Sequence, residues 1–395
     1  MFEIVDNYSQ NAIIKVIGVG GAGGNAVDTM LRDTIHGADF IVANTDAQAL
    51  RDIDGATTVQ IGSEITNGLG AGADPEKGRQ AALESKEQLQ KTIEGADMLF
   101  IAAGMGGGTG TGAAPIIAQI ARDLGILTVA VVTKPFEWEG KERMEHAEVG
   151  IVNLEEWVDS LIVIPNTKLM EVFGENGSIY SQFDNADGVI TGAVKGIAEI
   201  ITIRGFMNVD FADVKTVMSG KGKAMMGSAK AEGENRAEDA INAALSCPLL
   251  DSFNLQGATG VLVNITSGDD LTPKELNLIG RKIKDIADEE ATIITGCIKE
   301  EDNLGELRVT IIATGFDEGT NINTVNSSLG SADNTNIDAQ TPINSVEQAV
   351  VKPNITQMSF NTQSSLLNTE KSVNSDEDDE DENIDIPAFL RQQAD

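Results

Sequence analysis

The stretch that decides the fold of this chain is Gly104–Pro115, which reads GMGGGTGTGAAP. It follows an apolar run at 98–102 and precedes a helix-like apolar run at 116–121. Six glycines in its first nine residues let the backbone adopt positive φ and bring its N–H groups close to a ligand. A strand, a glycine loop and a helix N-terminus can bind phosphate without a basic side chain. The loop holds no Lys or Arg, and the chain has no G-x-x-x-x-G-K-[ST] motif, which excludes an ordinary P-loop.

A second glycine-rich loop, Gly18–Asn25, reads GVGGAGGN and contains G-x-G-x-x-G between a predicted strand and a predicted helix. By itself this pattern indicates a dinucleotide-binding oxidoreductase, with Asp46 as the acid for the ribose. Two glycine loops at one sheet edge instead suit a single nucleotide with a longer phosphate chain. The oxidoreductase alternative also offers no catalytic His or Lys in a suitable context. A third loop, Gly68–Pro75, would add amides to a phosphate or magnesium site.

The composition indicates a large, acidic protein. The chain has 395 residues, 41% of them hydrophobic, which is enough for two domains and a tail. Its formal net charge is −34, and this argues against nucleic acid as a partner. An anionic ligand must then be bound by backbone amides, helix ends and a divalent cation.

Cysteine, histidine and apolar runs add little chemistry. Cys247 and Cys297 are far apart and are expected to be free thiols, while His36 and His146 cannot build a metal site alone. The N-terminus does not resemble a signal peptide, and no apolar run is long enough to cross a bilayer. We therefore expect a cytoplasmic protein without direct membrane insertion.

Residues 11–165 alternate apolar β-type runs with helix-type segments, which is typical of a parallel sheet covered on both faces. The predicted strands are Ile13–Val19, Phe40–Asn44, Thr57–Ile61, Met98–Ala102, Leu127–Thr133 and Leu161–Ile164. The predicted helices are Asn25–Arg32, Pro75–Lys91, Ala113–Leu124 and Lys141–Leu154. Ligands of such folds bind at the carboxyl ends of the strands, where both glycine loops are expected.

The remainder of the chain divides into a helix, a second α/β unit and a tail. Apolar spacing predicts one long helix over 179–203 that ends at Gly205. Four strands and two helices are predicted within 221–316, with a capping box formed by Thr272 and Glu275. After Phe316 the sequence is polar, then strongly acidic at 376–382, which predicts a disordered linker.

Several long motifs occur in one order along the chain: Gly18–Asn25, Asn44–Leu50, Gly104–Pro115, Thr133–Phe136, Asn208–Val214 and Asp385–Arg391. Together they resemble the tubulin/FtsZ family of bacterial cell-division GTPases. The resemblance covers residues 11–316 and 383–395 and leaves the linker between them unmatched. The chain departs from the common family pattern at Ile203–Phe206 and at Lys215, where Arg is usual.

The resemblance implies a tubulin/FtsZ-like α/β fold with several segments. They are a parallel-sheet GTP-binding domain at 1–178, a long central helix with an acidic catalytic loop at 179–220, a second, smaller α/β domain at 221–316, a disordered acidic linker at 317–383 and a partner-binding peptide at 384–395.

The resemblance also implies which residues bind GTP or GDP. The phosphates would be surrounded by Gly20, Gly21, Ala22, Gly23, Gly24, Asn25, Gly70, Ala71, Gly72, Ala73, Gly104, Gly106, Gly107, Gly108, Thr109, Gly110, Thr111 and Gly112. Further predicted contacts are Asn44, Thr45, Asp46, Pro135, Glu139, Arg143, Asn166, Phe183 and Asp187. Among these, Glu139 and Arg143 would bind near the ribose and phosphates, and Asn166 would contact the ribose or base. Mg²⁺ is the expected cation, with K⁺ as a second candidate.

Two of these residues would recognise the base. Phe183 would stack on guanine, and Asp187 would accept hydrogen bonds from its N1–H and amino group. Asp187 lies one helical turn after Phe183, so that both side chains can face one pocket.

Asn208, Asp210 and Asp213 lie far in sequence from the glycine loops. Acidic side chains do not bind phosphate, but they can orient an attacking water or help hold a cation. The resemblance implies that these catalytic residues enter the nucleotide site of the next subunit in a head-to-tail homopolymer, so that hydrolysis needs assembly. Intact Asp210 and Asp213 argue against the remaining alternative, a non-hydrolysing scaffold of the same fold.

The terminal segment Asp385–Arg391 reads DIPAFLR and is too short to fold alone. Its apolar side chains suit a groove on a partner. The resemblance implies that this segment binds a membrane-tethering adaptor and division regulators, and that the protein works at a midcell division ring.

Overall fold

The computed structural model describes residues 12–33, 35, 37–174, 178–203, 205–220, 222–250, 257–300 and 305–316. Its strands are β1 (Ile14–Val19), β2 (Ala38–Asn44), β3 (Thr57–Gln60), β4 (Met98–Gly104), β5 (Leu127–Lys134), β6 (Ser160–Pro165), β7 (Lys223–Glu232), β8 (Gly260–Ser267), β9 (Thr292–Lys299) and β10 (Glu306–Thr314). Its helices are α1 (Gly20–Arg32), α2 (Ser63–Thr66), α3 (Pro75–Glu84), α4 (Lys86–Ile93), α5 (Thr109–Asp123), α6 (Lys141–Glu155), α7 (Asn166–Phe173), α8 (Ile179–Thr202), α9 (Phe211–Met218), α10 (Arg236–Leu245) and α11 (Pro273–Ile286). A short 3-10 helix spans Glu137–Glu139. The predicted disordered linker and terminal peptide lie outside the described residues.

The first six strands form the parallel sheet that the sequence predicts, in the order β3-β2-β1-β4-β5-β6. Val19 at the end of β1 is in register with Ala43 of β2 and Ala103 of β4. The loops that follow these three strands therefore leave the sheet at one edge. Helices α1 and α8 cover one face, and α3 to α6 cover the other, as expected for a sheet buried on both sides.

The strands of the second half continue the same sheet. β7 joins β6 in parallel through two residue pairs, β10 then lies antiparallel between β7 and β8, and β9 completes the order in parallel with β8. α10 and α11 cover one face of these strands. The predicted capping box of α11 is present, because Thr272 and Glu275 exchange side-chain-to-backbone hydrogen bonds.

The predicted helix boundaries need correction at the glycine loops. α1 begins at Gly20 and α5 at Thr109, earlier than the predicted starts at Asn25 and Ala113. Glycine has a low intrinsic helix propensity, which is why the sequence alone places these turns outside the helices. Close contacts between the loops, described below, hold these first turns in place.

Other boundaries also differ from prediction. The predicted single helix Pro75–Lys91 is wrong, because the chain breaks at Ser85, whose hydroxyl accepts a hydrogen bond from the N–H of Gly62 at 3.0 Å. The predicted long helix over 179–203 is confirmed, since α8 spans Ile179–Thr202 and ends one residue earlier than predicted. The short helices α2, α7 and α9 are absent from the sequence prediction, since eight residues or fewer show little helical periodicity.

The long helix α8 runs between the two edges of the sheet. Its 24 residues span about 36 Å. At its end, a Cβ atom placed on Gly37 would lie only 2.8 Å from the Cβ of Thr202. Gly37 directly precedes β2, so α8 ends at the edge where the parallel strands begin. None of the helices in the described part of the chain has the length and apolar character needed to cross a bilayer.

Candidate active site

The first two glycine loops are in direct contact at the carboxyl edge of the sheet. A Cβ atom placed on Gly23 would lie 2.3 Å from the carbonyl oxygen of Ala102, and one on Gly104 would lie 2.7 Å from the Cβ of Ala22. No side chain fits at either position without a backbone shift. The glycines thus bring the N-terminus of α1 against the end of β4.

The third loop joins the second. The N–H of Gly108 donates to the carbonyl of Gly72 at 3.1 Å, and a Cβ atom on Gly108 would lie 2.5 Å from that same oxygen. The predicted meeting of the three loops at one edge is therefore what the structure shows. Two helix N-termini, those of α1 and α5, begin within this cluster and direct positive dipole ends toward it.

Two glycines in the cluster face open space. A Cβ atom on Gly21 or on Gly107 would meet no protein atom within 4 Å, and neither residue has a positive φ. Neither protein packing nor backbone conformation therefore requires glycine there. Space left free beside backbone N–H groups is what an approaching phosphate needs.

Side chains after β2 fix the loops to one another. Thr45 is fully buried, and its Oγ1 lies 2.6 Å from Oγ1 of Thr109. Asp46 forms an isolated bridge with Leu69, and its N–H donates to Oδ1 of Asn44 at 3.2 Å. Asn44, Thr45 and Asp46 are therefore placed at the loop cluster, as predicted from the sequence.

Pro135, Glu139 and Arg143 lie beside the second loop. A Cβ atom on Gly106 would lie 2.6 Å from the carbonyl oxygen of Arg143 and 3.3 Å from Cγ of Pro135. Glu139 is already engaged, since it accepts from the N–H of Phe136 at 2.8 Å and pairs with Nε of Arg143 at 3.1 Å. The Arg143 side chain is half-exposed and supplies the positive charge among these three residues.

An aromatic cluster that the sequence reasoning missed stands next to α8. Phe183 is 40% exposed and meets Phe136 edge-on at a centroid distance of 5.4 Å and Trp138 at 6.4 Å. Phe136 and Trp138 are stacked at 5.4 Å. The motif Thr133–Phe136 begins in the last two residues of β5 and continues past its carboxyl end, which is the signal that locates this cluster.

Two polar groups near the aromatic cluster suit hydrogen bonding to a ligand. Asn166 begins α7, is buried, and its Oδ1 has no hydrogen-bond partner. Desolvation by burial and, to a lesser extent, the charge of Asp184 raise the pKa of Asp187 to about 7. A carboxyl group with such a pKa changes its charge near neutral pH.

The structure does not bring the acidic residues to the glycine loops. Asn208 accepts the N–H of Gly205 through Oδ1 at 2.8 Å, Asp210 directly precedes α9, and Asp213 lies in its first turn. All three are exposed. They follow the end of α8 at the opposite edge of the sheet, about 20 Å away along the seven residues of β2. One chain therefore contains the phosphate loops and the acids as two separate sites.

The described residues contain no group of three or more His, Cys, Asp or Glu side chains arranged to hold an ion. Mg²⁺ bound to phosphates commonly takes phosphate oxygens and water among its ligands.

Comparisons with known proteins agree with this geometry. Residues 13–174 match the family described as "Tubulin/FtsZ family, GTPase domain", and residues 222–317 match "FtsZ family, C-terminal domain". The chain is 50% identical over 398 residues to a cell division protein FtsZ from Pseudomonas aeruginosa, with both chains fully covered. It is 54% identical to the FtsZ of Coxiella burnetii over 316 residues, covering 80% of this chain and 82% of that protein. A solved structure of an empty FtsZ dimer from M. jannaschii is 43% identical, with a TM-score of 0.75, covering 78% of this chain and 89% of that one.

The open position at Gly107 provides a test of the phosphate-binding cluster. We expect Gly107→Ala to weaken nucleoside triphosphate binding at least about tenfold, because the methyl group would stand where a phosphate must approach the backbone N–H. Equilibrium binding of a fluorescent triphosphate measures this. Gly280→Ala is the matched control, since a Cβ atom there also meets open space but on α11. Equal affinities for the two variants, with unchanged urea midpoints, would contradict the assignment.

Proposed function

Since the chain belongs to the FtsZ family of tubulin-like proteins and is a GTPase, we propose that it assembles head to tail into the filaments of the cell-division ring. The observation that carries this proposal is the separation of the acids from the phosphate loops across the sheet. Among the described residues, the glycine loops and the acids are found at different edges, so neither edge combines them. Two copies in the same orientation would place the acids of one copy against the loops of the next.

The glycine loops would bind the phosphates of GTP through backbone N–H groups and the N-termini of α1 and α5. The open space beside Gly21 and Gly107 supports this, as does the absence of Lys and Arg from the loops. Mg²⁺, when bound, would neutralise charge on the phosphates. The neighbouring hydroxyls of Thr45 and Thr109 would be protein ligands available to the cation. Phosphate oxygens and water would supply its other ligands.

The guanine base would lie against the exposed face of Phe183. Asn166 and Asp187 would supply hydrogen-bonding groups, since the first has a buried oxygen without a partner and the second is a partly buried carboxyl. A carboxylate accepts from guanine N1–H and the amino group together, whereas adenine offers no such pair of donors. Discrimination of this kind is large when buried polar groups are otherwise left unpaired.

Guanine recognition by Asp187 predicts a pH dependence. The carboxyl must be ionised to accept both hydrogen bonds, and its pKa of about 7 means that the ionised fraction grows from pH 6 to pH 8. We expect the affinity for GDP to rise about tenfold over that interval. Calorimetric titration at each pH measures it.

Two variants check the source of this dependence. Asp187→Asn should show weaker binding with little slope against pH. Asp184→Asn should shift the midpoint to lower pH, because the charge of Asp184 raises the pKa of Asp187. The same slope in Asp187→Asn as in the unmodified protein would show that another group titrates.

The acids Asp210 and Asp213 would act on the GTP of the neighbouring subunit, with Asn208 fixing the loop that presents them. Their exposure in a single chain is expected if an assembly partner covers them. Such a contact joins two different surfaces, and where the rotation between subunits does not close a ring it repeats into a filament. The similar M. jannaschii protein is described as a dimer, which supports self-association of this chain.

Removing one acid should separate binding from hydrolysis. Asp213→Ala should bind GTP and assemble, while its GTP turnover should fall by about 10²-fold or more, because an attacking water loses its orienting group. Phosphate release and sedimentation measure the two properties. The exposed Asp239 on α10 supplies the matched control, Asp239→Ala, which should keep full turnover.

A mixing experiment tests whether the site is divided between subunits. Asp213→Ala keeps its loops, and Gly107→Ala keeps its acids, so that mixed filaments contain some complete sites. Turnover of the mixture should exceed the sum of the separate activities. An additive result, or full turnover by Asp213→Ala alone, would refute the divided site.

The terminal peptide Asp385–Arg391, which lies outside the described residues, would bind a membrane-tethering adaptor and division regulators. Its apolar side chains after an acidic run suit a partner groove with a basic rim. Such a connection would place the filaments at midcell.

Deleting residues 384–395 should spare GTP turnover and assembly, because the peptide is remote in sequence from the loops and acids. Imaging of a fluorescent fusion in dividing cells should show loss of the midcell ring. Replacing Gln392 and Gln393 by Ala is a matched control outside the apolar segment. Normal rings after the deletion would contradict this role.

A further inference from the structure

The C-terminal third of α8 is attached to the second half of the sheet by two polar contacts. Nδ2 of Asn264 on β8 donates to the carbonyl of Gly196 at 3.1 Å. Nη2 of Arg308 on β10 pairs with Oε2 of Glu199 at 3.2 Å. Both contacts act on the last two turns of the helix, directly before the chain continues to the acids.

Glu199 is a buried carboxylate in a small ionic network. It is 5% exposed, and Lys195, one turn earlier on α8, lies 3.7 Å from its Oε1. Arg308 also lies 3.4 Å from Oγ1 of Thr266 on β8 and 3.9 Å from Glu300, which follows β9. Desolvation by burial raises the pKa of Glu199, while Arg308 and Lys195 oppose that rise. The two cations thus favour the ionised form of this buried group.

The network is linked to the acids through a short packed path. Glu199 is followed by Ile200, and a Cβ atom on Gly296 of β9 would lie 3.3 Å from Ile200 and 3.4 Å from Val209. Met207 exchanges backbone hydrogen bonds with Cys297 of β9. The last turn of α8 and the segment that carries the acids therefore rest on the same strands.

We propose that Arg308 is a positioning residue for GTP hydrolysis, holding the last turn of α8 through Glu199 and so placing Asp210 and Asp213 for the next subunit's nucleotide. The proposal rests on the divided site described above. Arg308 itself touches neither nucleotide nor acids, and its contribution is geometric. A buried ion pair is weak evidence that the pair stabilises the fold. Placement of the helix therefore explains the charged pair Arg308–Glu199 better than stability does.

The test begins with Arg308→Met at saturating GTP. This variant leaves Glu199 buried with Lys195 as its remaining cation, so the last turn of α8 should shift. We expect turnover to fall roughly tenfold at pH 8, while the affinity for GTP changes less than about twofold. Lys230→Met is the control, because the largely exposed Lys230 on β7 pairs with Glu306 on β10 and does not contact α8 through that pair.

Two further measurements separate positioning from general damage. Arg308→Lys keeps a cation that can pair with Glu199, so its turnover should stay close to that of the unmodified protein. Arg308→Met combined with Glu199→Gln should remain about as slow as Arg308→Met, because the contact between β10 and the last turn of α8 is still missing although the buried carboxylate is gone.

Measuring Asp213→Ala in the same assay separates a failure of the role of Arg308 from a failure of the divided site. Full turnover by Arg308→Met at pH 8, full recovery when Glu199→Gln is added, or a loss in Arg308→Lys as large as in Arg308→Met, would overturn the role of Arg308. If Asp213→Ala loses turnover in the same assay, the divided site stands even so. If Asp213→Ala keeps full turnover, the divided site itself fails, whatever Arg308→Met does.

Discussion

Backbone-to-backbone contact between glycine loops is the constraint on which the site depends. At Gly23 and Gly108 a neighbouring carbonyl oxygen occupies the space that a Cβ atom would need, at 2.3 and 2.5 Å. This contact draws the ends of β1 and β4 and the loop before α3 into one surface. It also allows α1 and α5 to begin inside glycine segments, so that N–H groups rather than cationic side chains face the ligand. An acidic protein can thereby bind a polyanion without a basic pocket.

The second constraint is the length of α8. A helix of about 36 Å links residues proposed to contact the base with the segment that carries the acids, and it is packed on strands from both halves of the sheet. A rigid element of this length cannot bring its two ends to one place. The chain consequently keeps phosphate binding and the acidic loop at opposite edges, and it attaches the distal end of the helix to β8 and β10.

Much of the fold could be predicted from the sequence, because period-two and period-3.6 patterns are strong where elements are long and buried. The parallel sheet of the first strands, the long helix and the meeting of the glycine loops all follow from strand–loop–helix spacing. The break at Ser85 could not, since it depends on a hydrogen bond to Gly62, remote in sequence. The same holds for the starts of α1 and α5, where tertiary contact overrides the low helix propensity of glycine.

The candidate site shows a similar division. Glycine motifs predict the proposed phosphate-binding backbone directly, because few other requirements call for so many glycines. The stacked pair Phe136 and Trp138 and the Arg308–Glu199 pair were not predicted, since partners from different strands and helices leave no local pattern. Side-chain roles therefore needed three-dimensional information where backbone roles did not.

Because the loops and the acids lie at opposite edges, a filament would have more bound nucleotides than junctions that can hydrolyse them. In a head-to-tail filament of n subunits, there are n nucleotides but only n − 1 junctions between subunits. One terminal nucleotide always lacks a neighbour's acids, and it is always at the same end. Short filaments would thus hydrolyse less GTP per subunit than long ones. GTP would also persist longer at one end of a filament than at the other.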